Sequence, residues 1–477
     1  MTLSTALTTA LTGLNASARD AATVSSNLAN ALTEGYAPRS LNRASSQFGG
    51  VNLNGVTRHI DAALLQDLRG ASAGLAGAET KQNMLSRLQS LVGTPGEANA
   101  LTTAVDQFES NLIDAANRPD LELRLQTAVQ AAGTLVTRLN SASDGVQALR
   151  QEADHAIARE VEGLNRALGQ VAELNRDITA AQLQKRDASA LMDQRQALID
   201  QMSETLPLRQ MPRPNGAVAL MSTGGSLLLD GTARALSFTP SPAVAAHMTQ
   251  ANGLLSGLQI NGTPVRTDPT GKIGGGRLAA LFDLRDSQLA SAQTQLDAYA
   301  LDLASRFQSG VDPTLAPGDA GLFTETGMVA SAGAGLASRL RLNPLVDPNQ
   351  GGAAWHLRDG LAAASPGETG DATLLNAMLD RLNAASTASP LSSAAQSHRD
   401  HAGSLAALFA APNVTASNNH SYHDFRHAAL QEAALAEGVD SDAELQRLML
   451  VEQAYAANAR IIETVDQMLQ TLMRIGT

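Results

Sequence analysis

Both ends of this 477-residue chain carry a heptad pattern of apolar and small side chains, and this pattern constrains the fold most strongly. In residues 1–33 two seven-residue series, offset by four positions, run through Leu7, Leu14, Ala21 and Leu28, and through Leu11, Ala18, Ser25 and Leu32. In residues 441–475 a similar stripe runs through Leu448, Val451, Tyr455, Asn458, Ile462, Val465, Leu469 and Leu472. Alternating spacings of three and four are typical of a coiled-coil seam, so each end is predicted to form a long helix.

A single amphipathic helix of this kind is not stable in water without a partner surface. The two terminal helices have similar lengths, so we expect them to pack against each other. Because the chain leaves along one and returns along the other, the pair would be antiparallel. Such a pair still leaves alanine and leucine surface uncovered. Two interpretations stay open: a helical hairpin within a globular protein, or helices that become ordered only on assembly with further copies.

Local signals define the ends of these two helices. Ser441 and Glu444 have the spacing of a capping box, which satisfies free N–H groups at a helix start. Gly35 suits a left-handed cap after the first helix, and Pro38 prevents its continuation. Asn458 is the polar member of the C-terminal stripe. It either sets the register by pairing across the helix interface or faces a loop.

The interior of the chain changes its periodicity several times. Residues from about 75 to 205 have a helical pattern with breaks at residues 94–96 and near Pro119. Short apolar runs between glycines and prolines in residues 206–274 predict β-hairpins. Helix is expected again over 278–307 and from about 371, and residues 336–342 are a candidate strand in a stretch rich in glycine and proline.

The predicted fold class is mainly α with a β insertion. The terminal helices pair as an antiparallel coiled coil, the middle domain is a helical bundle, and a small β domain lies outside it. The predicted division is 1–70 with 435–477 for the inner terminal domain, 71–205 with 275–310 and 371–434 for the helical middle domain, 206–274 for the outer β domain, and 311–370 for an irregular or β segment.

Composition excludes several classes of function. The chain has 34 basic and 46 acidic residues and a net charge of −12, which argues against binding to nucleic acid or to an anionic membrane. It has no cysteine, which excludes disulfides, cysteine-ligated metals and thiol chemistry. It has no run of 18 apolar residues that could span a bilayer. The first basic residue is Arg19, so the N-terminus lacks the basic region of a secretory signal and is expected to stay uncleaved.

A few polar clusters could carry chemistry. His420, His423 and His427 would share one helix face, and their spacing permits zinc or nickel. The alternative, which we favour, is a solvated helix face with no metal. Residues 274–276 are three glycines before a helix, which suggests either a phosphate site or, as we prefer, a flexible hinge. Aspartates at 187, 193 and 200 are interpreted as solvated groups or polar contacts between helices, and no catalytic Ser/His/Asp set is recognisable.

Sequence motifs at both ends resemble those of a known family. The N-terminal motif is Leu14-Asn15-Ala16 followed by Val24-Ser25-Ser26-Asn27-Leu28-Ala29-Asn30-Ala31-Leu32-Thr33-Glu34-Gly35-Tyr36. The C-terminal motif comprises Asp442-Ala443-Glu444-Leu445, then Glu452-Gln453-Ala454-Tyr455-Ala456-Ala457-Asn458-Ala459-Arg460-Ile461-Ile462, and Met468-Leu469-Gln470-Thr471-Leu472. Together they resemble the terminal signatures of flagellar rod, hook and hook-associated proteins.

Three interior motifs narrow the resemblance to the members of this family that form the junction between hook and filament. They are Phe108-Glu109-Ser110-Asn111-Leu112 with Ala116-Asn117-Arg118-Pro119, then Leu191-Met192-Asp193-Gln194-Arg195, and Gly275-Gly276-Arg277-Leu278-Ala279-Ala280-Leu281-Phe282-Asp283-Leu284-Arg285-Asp286. The resemblance implies a structural protein that is not an enzyme and has no cofactor or metal. It also implies terminal helices that are disordered in the free monomer and become ordered on assembly.

The resemblance further implies partners and a location. The chain would associate with itself in a ring, with the hook protein on one side and a second hook–filament junction protein on the other. An export chaperone would bind the C-terminal helix, and the flagellar type III apparatus would export the chain. The residues expected at the assembly interface are Leu7, Leu11, Leu14, Leu28, Tyr455, Asn458, Ile462, Leu469 and Leu472. The alternatives are another flagellar axial subunit, of the hook or distal rod, and a secreted metal-dependent hydrolase that uses the histidines.

Overall fold

The structure is a computed structural model that describes residues 3–475 except 34, 48, 269 and 309. It is mostly helical. Its helices are α1 (Leu3–Ala29), α2 (Ala62–Val92), α3 (Leu101–Asn117), α4 (Glu122–Leu183), α5 (Ser189–Thr205), α6 (Gly276–Asp283), α7 (Leu289–Arg306), α8 (Leu336–Arg339), α9 (His356–Asp359), α10 (Thr373–Asn383), α11 (His398–Ala436) and α12 (Ser441–Ile475). A π-helical turn over Leu284–Gln288 joins α6 to α7. These helices confirm the predicted fold class, including the terminal pair.

The strands form small antiparallel sheets. They are β1 (Arg39–Ser45), β2 (Val51–Arg58), β3 (Leu208–Pro212), β4 (Val218–Ser222), β5 (Leu227–Asp230), β6 (Thr232–Ala233), β7 (Leu236–Ser237), β8 (Gln259–Ile260), β9 (Thr263–Pro264), β10 (Phe323–Glu325), β11 (Leu340–Leu342), β12 (Ser386–Ala388) and β13 (Ser392–Gln396). The predicted β insertion contains a four-stranded sheet, β3-β4-β5-β6, and a three-stranded sheet, β7-β8-β9. The hairpins β1–β2, β10–β11 and β12–β13 lie outside it.

Helix α4 is the axis of the interior. It has 62 residues, which corresponds to a length of about 90 Å. Its sequence contains no proline and keeps an apolar residue at every third or fourth position, so one face remains buried along most of its length. Helices α3, α5, α6, α7 and α8 all pack against it. The β insertion also contacts α4, through β5, β6 and β7.

The core between α3, α7 and β10 is built around three phenylalanines. Phe108 packs edge-on against Phe323 with ring centroids 5.9 Å apart, and its centroid lies 6.0 Å from that of Phe307. All three side chains are at most 2% exposed. In a chain with few aromatic residues, this cluster joins the helical region to the segment that follows α7.

Some local predictions are wrong. Helix α1 ends at Ala29 rather than at residue 33, because a turn begins at Asn30, whose N–H bonds to the carbonyl groups of Ser26 and Asn27. In the predicted strand 336–342, residues 336–339 are helical and only Leu340–Leu342 pairs with β10. Gly35 has the expected left-handed backbone, with φ of +77°. Glu34, a member of the N-terminal motif, lies outside the described residues.

The prediction of a capping box at the start of α12 is also wrong. Asp440 is the cap, since its Oδ1 accepts the N–H groups of Asp442 and Ala443, each at 3.0 Å. The Glu444 side chain points instead to α1, as described below.

Two of the predicted domain boundaries fall inside continuous helices. The boundary at residue 70 lies within α2, and the boundary at residue 434 lies within α11. These two helices pack extensively against each other. The division into domains stays a prediction. No helix among the described residues combines the length and the hydrophobicity that a membrane crossing needs.

The phenylalanine cluster predicts a strong effect of one substitution on stability. Phe108→Ala leaves a cavity between α3 and α7 and should destabilise the helical region by about 3–5 kcal/mol. Phe425→Ala is the matched control, because Phe425 is 76% exposed and its loss should cost no more than about 0.5 kcal/mol. Thermal unfolding followed by calorimetry measures both. Equal midpoints for the two variants would contradict the proposed role of the cluster.

Candidate functional site: the paired terminal helices

Helices α1 and α12 pack against each other in antiparallel orientation. Near the start of α12, Glu444 bonds to Asn27 in the last turns of α1. At the other end, Leu3 and Ala6 of α1 line a cavity of about 430 Å³ together with Ile461, Val465, Met468 and neighbouring residues of α12. The first and the last helix of the chain therefore run beside each other over nearly their whole length, as predicted.

The two helices approach each other closely at Gly13. A Cβ atom at this position would lie 2.8 Å from Oδ1 of Asn458, so the absence of a side chain allows α12 to approach the α1 backbone. Asn458 itself donates from Nδ2 to the carbonyl of Ala454, 2.9 Å away in its own helix. Of the two interpretations of Asn458, the structure supports the one that places it at the helix interface. It packs there and makes no hydrogen bond to α1 among the described residues.

A buried carboxylate joins three elements two turns further along α1. Asp20 of α1 is fully buried and forms an ion pair with Arg43 of β1. Its other oxygen accepts from Nη2 of Arg447 of α12 at 3.0 Å. A charge removed from water is tolerated only when it is paired and hydrogen-bonded, so this position requires both arginines.

Asn27 forms a second polar junction, seven residues after Asp20. Its Nδ2 donates to the carbonyl of Arg39 at 2.8 Å and to Oε1 of Glu444 at 2.7 Å. Its Oδ1 accepts from the Tyr36 hydroxyl at 2.8 Å and from the Arg39 N–H at 3.1 Å. The amide thus uses both donor hydrogens and two acceptor positions in a fully buried place. Any shift of α12 along α1 would break these contacts, so Asp20 and Asn27 fix the register.

This seam was not recognised in the sequence. The α1 residues that meet α12 include Ala6, Gly13, Asp20 and Asn27, which precede the predicted series Leu7, Leu14, Ala21 and Leu28 by one position. Small and polar side chains do not stand out in a hydrophobicity pattern. The signal that could have found them is their own seven-residue spacing.

Of the residues expected at the assembly interface, Asn458 lies in this seam, and the others lie beside it or away from it. Leu7, Leu14, Leu28, Asn458 and Ile462 are half-buried. Four others are exposed: Leu11 at 50%, Tyr455 at 42%, Leu469 at 40% and Leu472 at 55%. Their role in assembly stays a prediction.

The pair leaves a large apolar surface open to solvent. In the described part of α12 the buried hydrophobic residues are Val451 and Val465, whereas Met449 is 56%, Leu450 65% and Met473 70% exposed. Exposed apolar surface of this extent marks an interaction site.

The hairpin β1–β2 attaches this helix pair to the rest of the chain. Gly50 packs on Thr12 of α1, and the Val51 N–H donates to the Thr12 hydroxyl at 3.2 Å. On its other side the hairpin presents Arg39 and Arg58, which both pair with Asp193 of α5.

The three aspartates noted in the sequence make structural contacts. Asp193 holds the hairpin, and Asp200 pairs with Arg69 of α2 at 2.5 Å. Asp187 accepts the N–H of Ser189 at 2.9 Å at the start of α5. Asp200 makes the predicted contact between helices, and the exposed Asp187 is solvated, whereas Asp193 binds a hairpin rather than a helix.

The histidine triplet belongs to a helix interface. His420, His423 and His427 are half-buried, and His423 lies over Gly74 of α2, where a Cβ atom would be 2.5 Å from the ring Nδ1. Burial lowers the pKa of His423, and Arg426 lowers it further. The prediction of a solvated face is therefore wrong at His423, because α2 covers its ring. Among the described residues, no group of three or more histidines and carboxylates has the arrangement of a metal site.

A buried Ser/His/Asp set exists that the sequence did not reveal. Asp302 accepts from the Ser386 hydroxyl at 2.6 Å and lies 2.9 Å from Nδ1 of His398. The atom 2.7 Å from Nε2 of His398 is the Tyr299 hydroxyl, not Ser386. A nucleophilic serine would have to bond to that nitrogen. Because His398 and Tyr299 are also buried, this set anchors the start of α11 to α7.

The glycines before α6 are tightly packed. A Cβ atom at Gly276, whose φ is +71°, would lie 2.5 Å from the carbonyl oxygen of Thr205. Gly77 of α2 approaches Gly276 from another side, and a Cβ atom at Gly77 would lie 3.0 Å from the carbonyl oxygen of Gly276. The interpretation as a flexible hinge is therefore wrong at Gly276, because α6 begins wedged between α2 and the end of α5.

Family models match two parts of the chain. The model of the flagellar hook-associated protein FlgK helical domain matches residues 85–312, and the model of the flagellar basal body rod FlgEFG protein C-terminal matches residues 431–475. The second match contains α12 and its polar contacts with α1. By these matches residues 85–312 form a helical domain of the FlgK type, and residues 431–475 form a C-terminal segment of the rod and hook type.

Curated members of the hook-associated protein 1 family are similar over much of the chain. The Escherichia coli (strain K12) protein is 25% identical over 67% of this chain and 59% of its own length. The Salmonella typhimurium protein is 26% identical over 64% of this chain and 56% of its own length. The Bacillus subtilis protein is 22% identical over 55% of this chain and 56% of its own length. One solved structure is similar, that of the flagellar hook junction protein FlgK from Burkholderia pseudomallei. The match covers 54% of this chain and 46% of the FlgK chain, with 23% sequence identity and a TM-score of 0.45. The matches thus span less than two thirds of these relatives.

The register of the terminal pair can be tested by cross-linking, because the chain has no natural cysteine. In the double variant Gly13→Cys/Asn458→Cys the two Cβ atoms should come within disulfide range, since the backbones approach closely there. The control is Gly13→Cys/Asp466→Cys, whose second cysteine lies about 12 Å further along α12. After mild oxidation, a non-reducing gel should show an intramolecular cross-link in the first variant alone. Cross-linking of the control with equal yield would contradict this register.

Proposed function

We propose that this protein is a structural subunit of the bacterial flagellum, not an enzyme. In this proposal copies of the chain form the ring that joins the hook to the filament. The observation that supports it most is the apolar surface of α1 and α12, which a single chain leaves exposed although the two helices are already paired. Similarity to the hook-associated protein 1 family supplies the biological setting.

The physical basis of assembly is helix packing between copies. The half-buried leucines at the edge of the α1–α12 seam and the exposed side chains of α12 would be covered by neighbouring subunits. Burial of one large apolar side chain contributes about 1.5–3 kcal/mol, so a few such residues per subunit favour a stable polymer. The proposed interface residues are Leu7, Leu11, Leu14, Leu28, Tyr455, Asn458, Ile462, Leu469 and Leu472.

The proposed partners follow from the position of the ring between two different polymers, the hook and the filament. The hook protein would contact one side of the ring and a second hook–filament junction protein the other. Before assembly an export chaperone would cover α12, whose exposed methionines and leucines are prone to aggregation. The flagellar type III apparatus would export the chain with its N-terminus intact, which places the protein outside the cell.

Some features of the chain are compatible with this route. It has no cysteine that could form disulfides before passage through a narrow channel. Its net charge of −12 keeps the exported chain soluble. The interior helices form a core of their own around α4, and among the described residues α1 and α12 contribute no side chain to it.

A charge in the α12 stripe should abolish incorporation into the flagellum. Ile462→Asp introduces a carboxylate at a half-buried position of α12 beside the α1–α12 seam, where burial of an unpaired charge by a neighbouring subunit is unfavourable. We expect no incorporation, with thermal unfolding of the helical interior unchanged. Gln467→Asp adds the same charge at an exposed polar position of α12 and should assemble normally.

Immunoblotting of purified hook–filament structures from cells that carry either variant measures incorporation. Normal incorporation of Ile462→Asp would refute the assignment of this position to assembly. Loss of incorporation in both variants would show that the negative charge itself, and not its position, prevents assembly.

A further inference from the structure

A cluster of arginines surrounds a cavity where the β1–β2 hairpin meets the helical region. The cavity has a volume of about 270 Å³ and is lined by Arg58 at the end of β2, Arg69 of α2 and Arg195 of α5. Three glutamines, Gln66, Gln196 and Gln210, complete its polar lining. Of the described residues that line it, none carries a carboxylate.

The positive charges at this place exceed the negative ones. Asp193 pairs with Arg58 but also with Arg39, and Asp200 pairs with Arg69. Arg195 has no ion pair among the described residues. Its Nη1 donates instead to Oδ1 of Asn175 at 2.8 Å and to the carbonyl of Gly216 at 2.7 Å. Four guanidinium groups thus share two carboxylates.

Several N–H groups of these arginines have no acceptor. Arg69 is 4% exposed, and its Nη2 has no hydrogen-bond partner among the described residues, although Nε binds Asp200 and Nη1 binds Gln210. Nε of Arg58 is also buried without a partner. A buried donor without an acceptor costs about 1–3 kcal/mol, and more when the group is charged.

The electrostatic situation of Arg195 agrees with an excess of positive charge. Its pKa is lowered to about 10, first by burial and then by repulsion from Arg58 and Arg69. Burial and neighbouring cations both disfavour the charged form of an arginine, and a bound anion would offset both effects.

We propose that this cavity binds a small oxyanion, either a phosphate or sulfate ion or the carboxylate group of another molecule. Arg58, Arg69 and Arg195 would supply the charge and the free N–H donors, and the glutamine side chains would complete the site. The planar fork of a guanidinium group matches the oxygens of both kinds of anion. A bound anion would join β2, α2 and α5 and so strengthen the attachment of the terminal unit to the helical region.

Isothermal titration of the full chain with inorganic phosphate and, separately, with acetate tests this site. Sodium chloride keeps the ionic strength constant, because screening would otherwise mimic a specific effect. We expect saturable binding of at least one of the two probes. Tighter binding of phosphate would assign the site to an inorganic oxyanion, and tighter binding of acetate to a carboxylate.

Two matched variants make the test specific. Arg69→Gln removes a charge and the free donor at the cavity and should weaken binding at least about tenfold. Arg209→Gln removes the same charge at an exposed position of the adjacent strand β3 and should leave binding within about twofold of wild type. If Arg69→Gln does not fold, Arg69→Lys preserves the charge and should still weaken binding about threefold, because it lacks the fork.

Absence of saturable binding of both probes to the wild-type chain would overturn the proposal. Equal binding by wild type and the folded Arg69 variant would overturn it as well. Neither result bears on assembly through α1 and α12, since the cavity lies apart from the exposed surface of that pair.

Discussion

The close pairing of the first and last helices is the constraint on which the rest of the structure depends. It is set by small and polar side chains rather than by large apolar ones. Gly13 lets α12 approach the backbone of α1, while Asp20 and Asn27 bind Arg447 and Glu444 at fixed positions. A seam built in this way specifies register, because each buried polar group has one set of partners. It leaves the leucines at its edges and on its outer faces available for other subunits.

Two sets of polar contacts attach the terminal helix pair to the interior of the chain. Arg43 and the backbone of Arg39 tie the β1–β2 hairpin to α1, and Asp193 ties the same hairpin to α5. The interior has a core of its own around α4, and these contacts attach the terminal pair to it. This division suits a chain that is proposed to be exported unfolded and to complete its folding in the polymer.

The sequence predicted those parts of the fold that rest on hydrophobic periodicity. The long interior helices, the breaks near Pro95 and Pro119 and the β insertion all follow from apolar spacing and from glycine and proline. The terminal helices and their antiparallel pairing follow from the same pattern.

The interior of the seam could not be found in this way, since Gly13, Asp20 and Asn27 are not hydrophobic. The Ser386, Asp302 and His398 set and the arginine cavity were likewise invisible, because their members lie far apart in sequence and only the tertiary fold brings them together.

Hydrogen exchange of the backbone amides tests the central claim most directly. The measurement compares a dilute solution of the isolated chain with the same chain in assembled hook–filament structures. We predict weak protection of α1 and α12 in dilute solution and an increase of at least about 100-fold on assembly, with α4 strongly protected in both states. Full protection of α1 and α12 in the dilute chain, equal to that of α4, would contradict the claim that further copies are needed to complete the burial of the terminal helices.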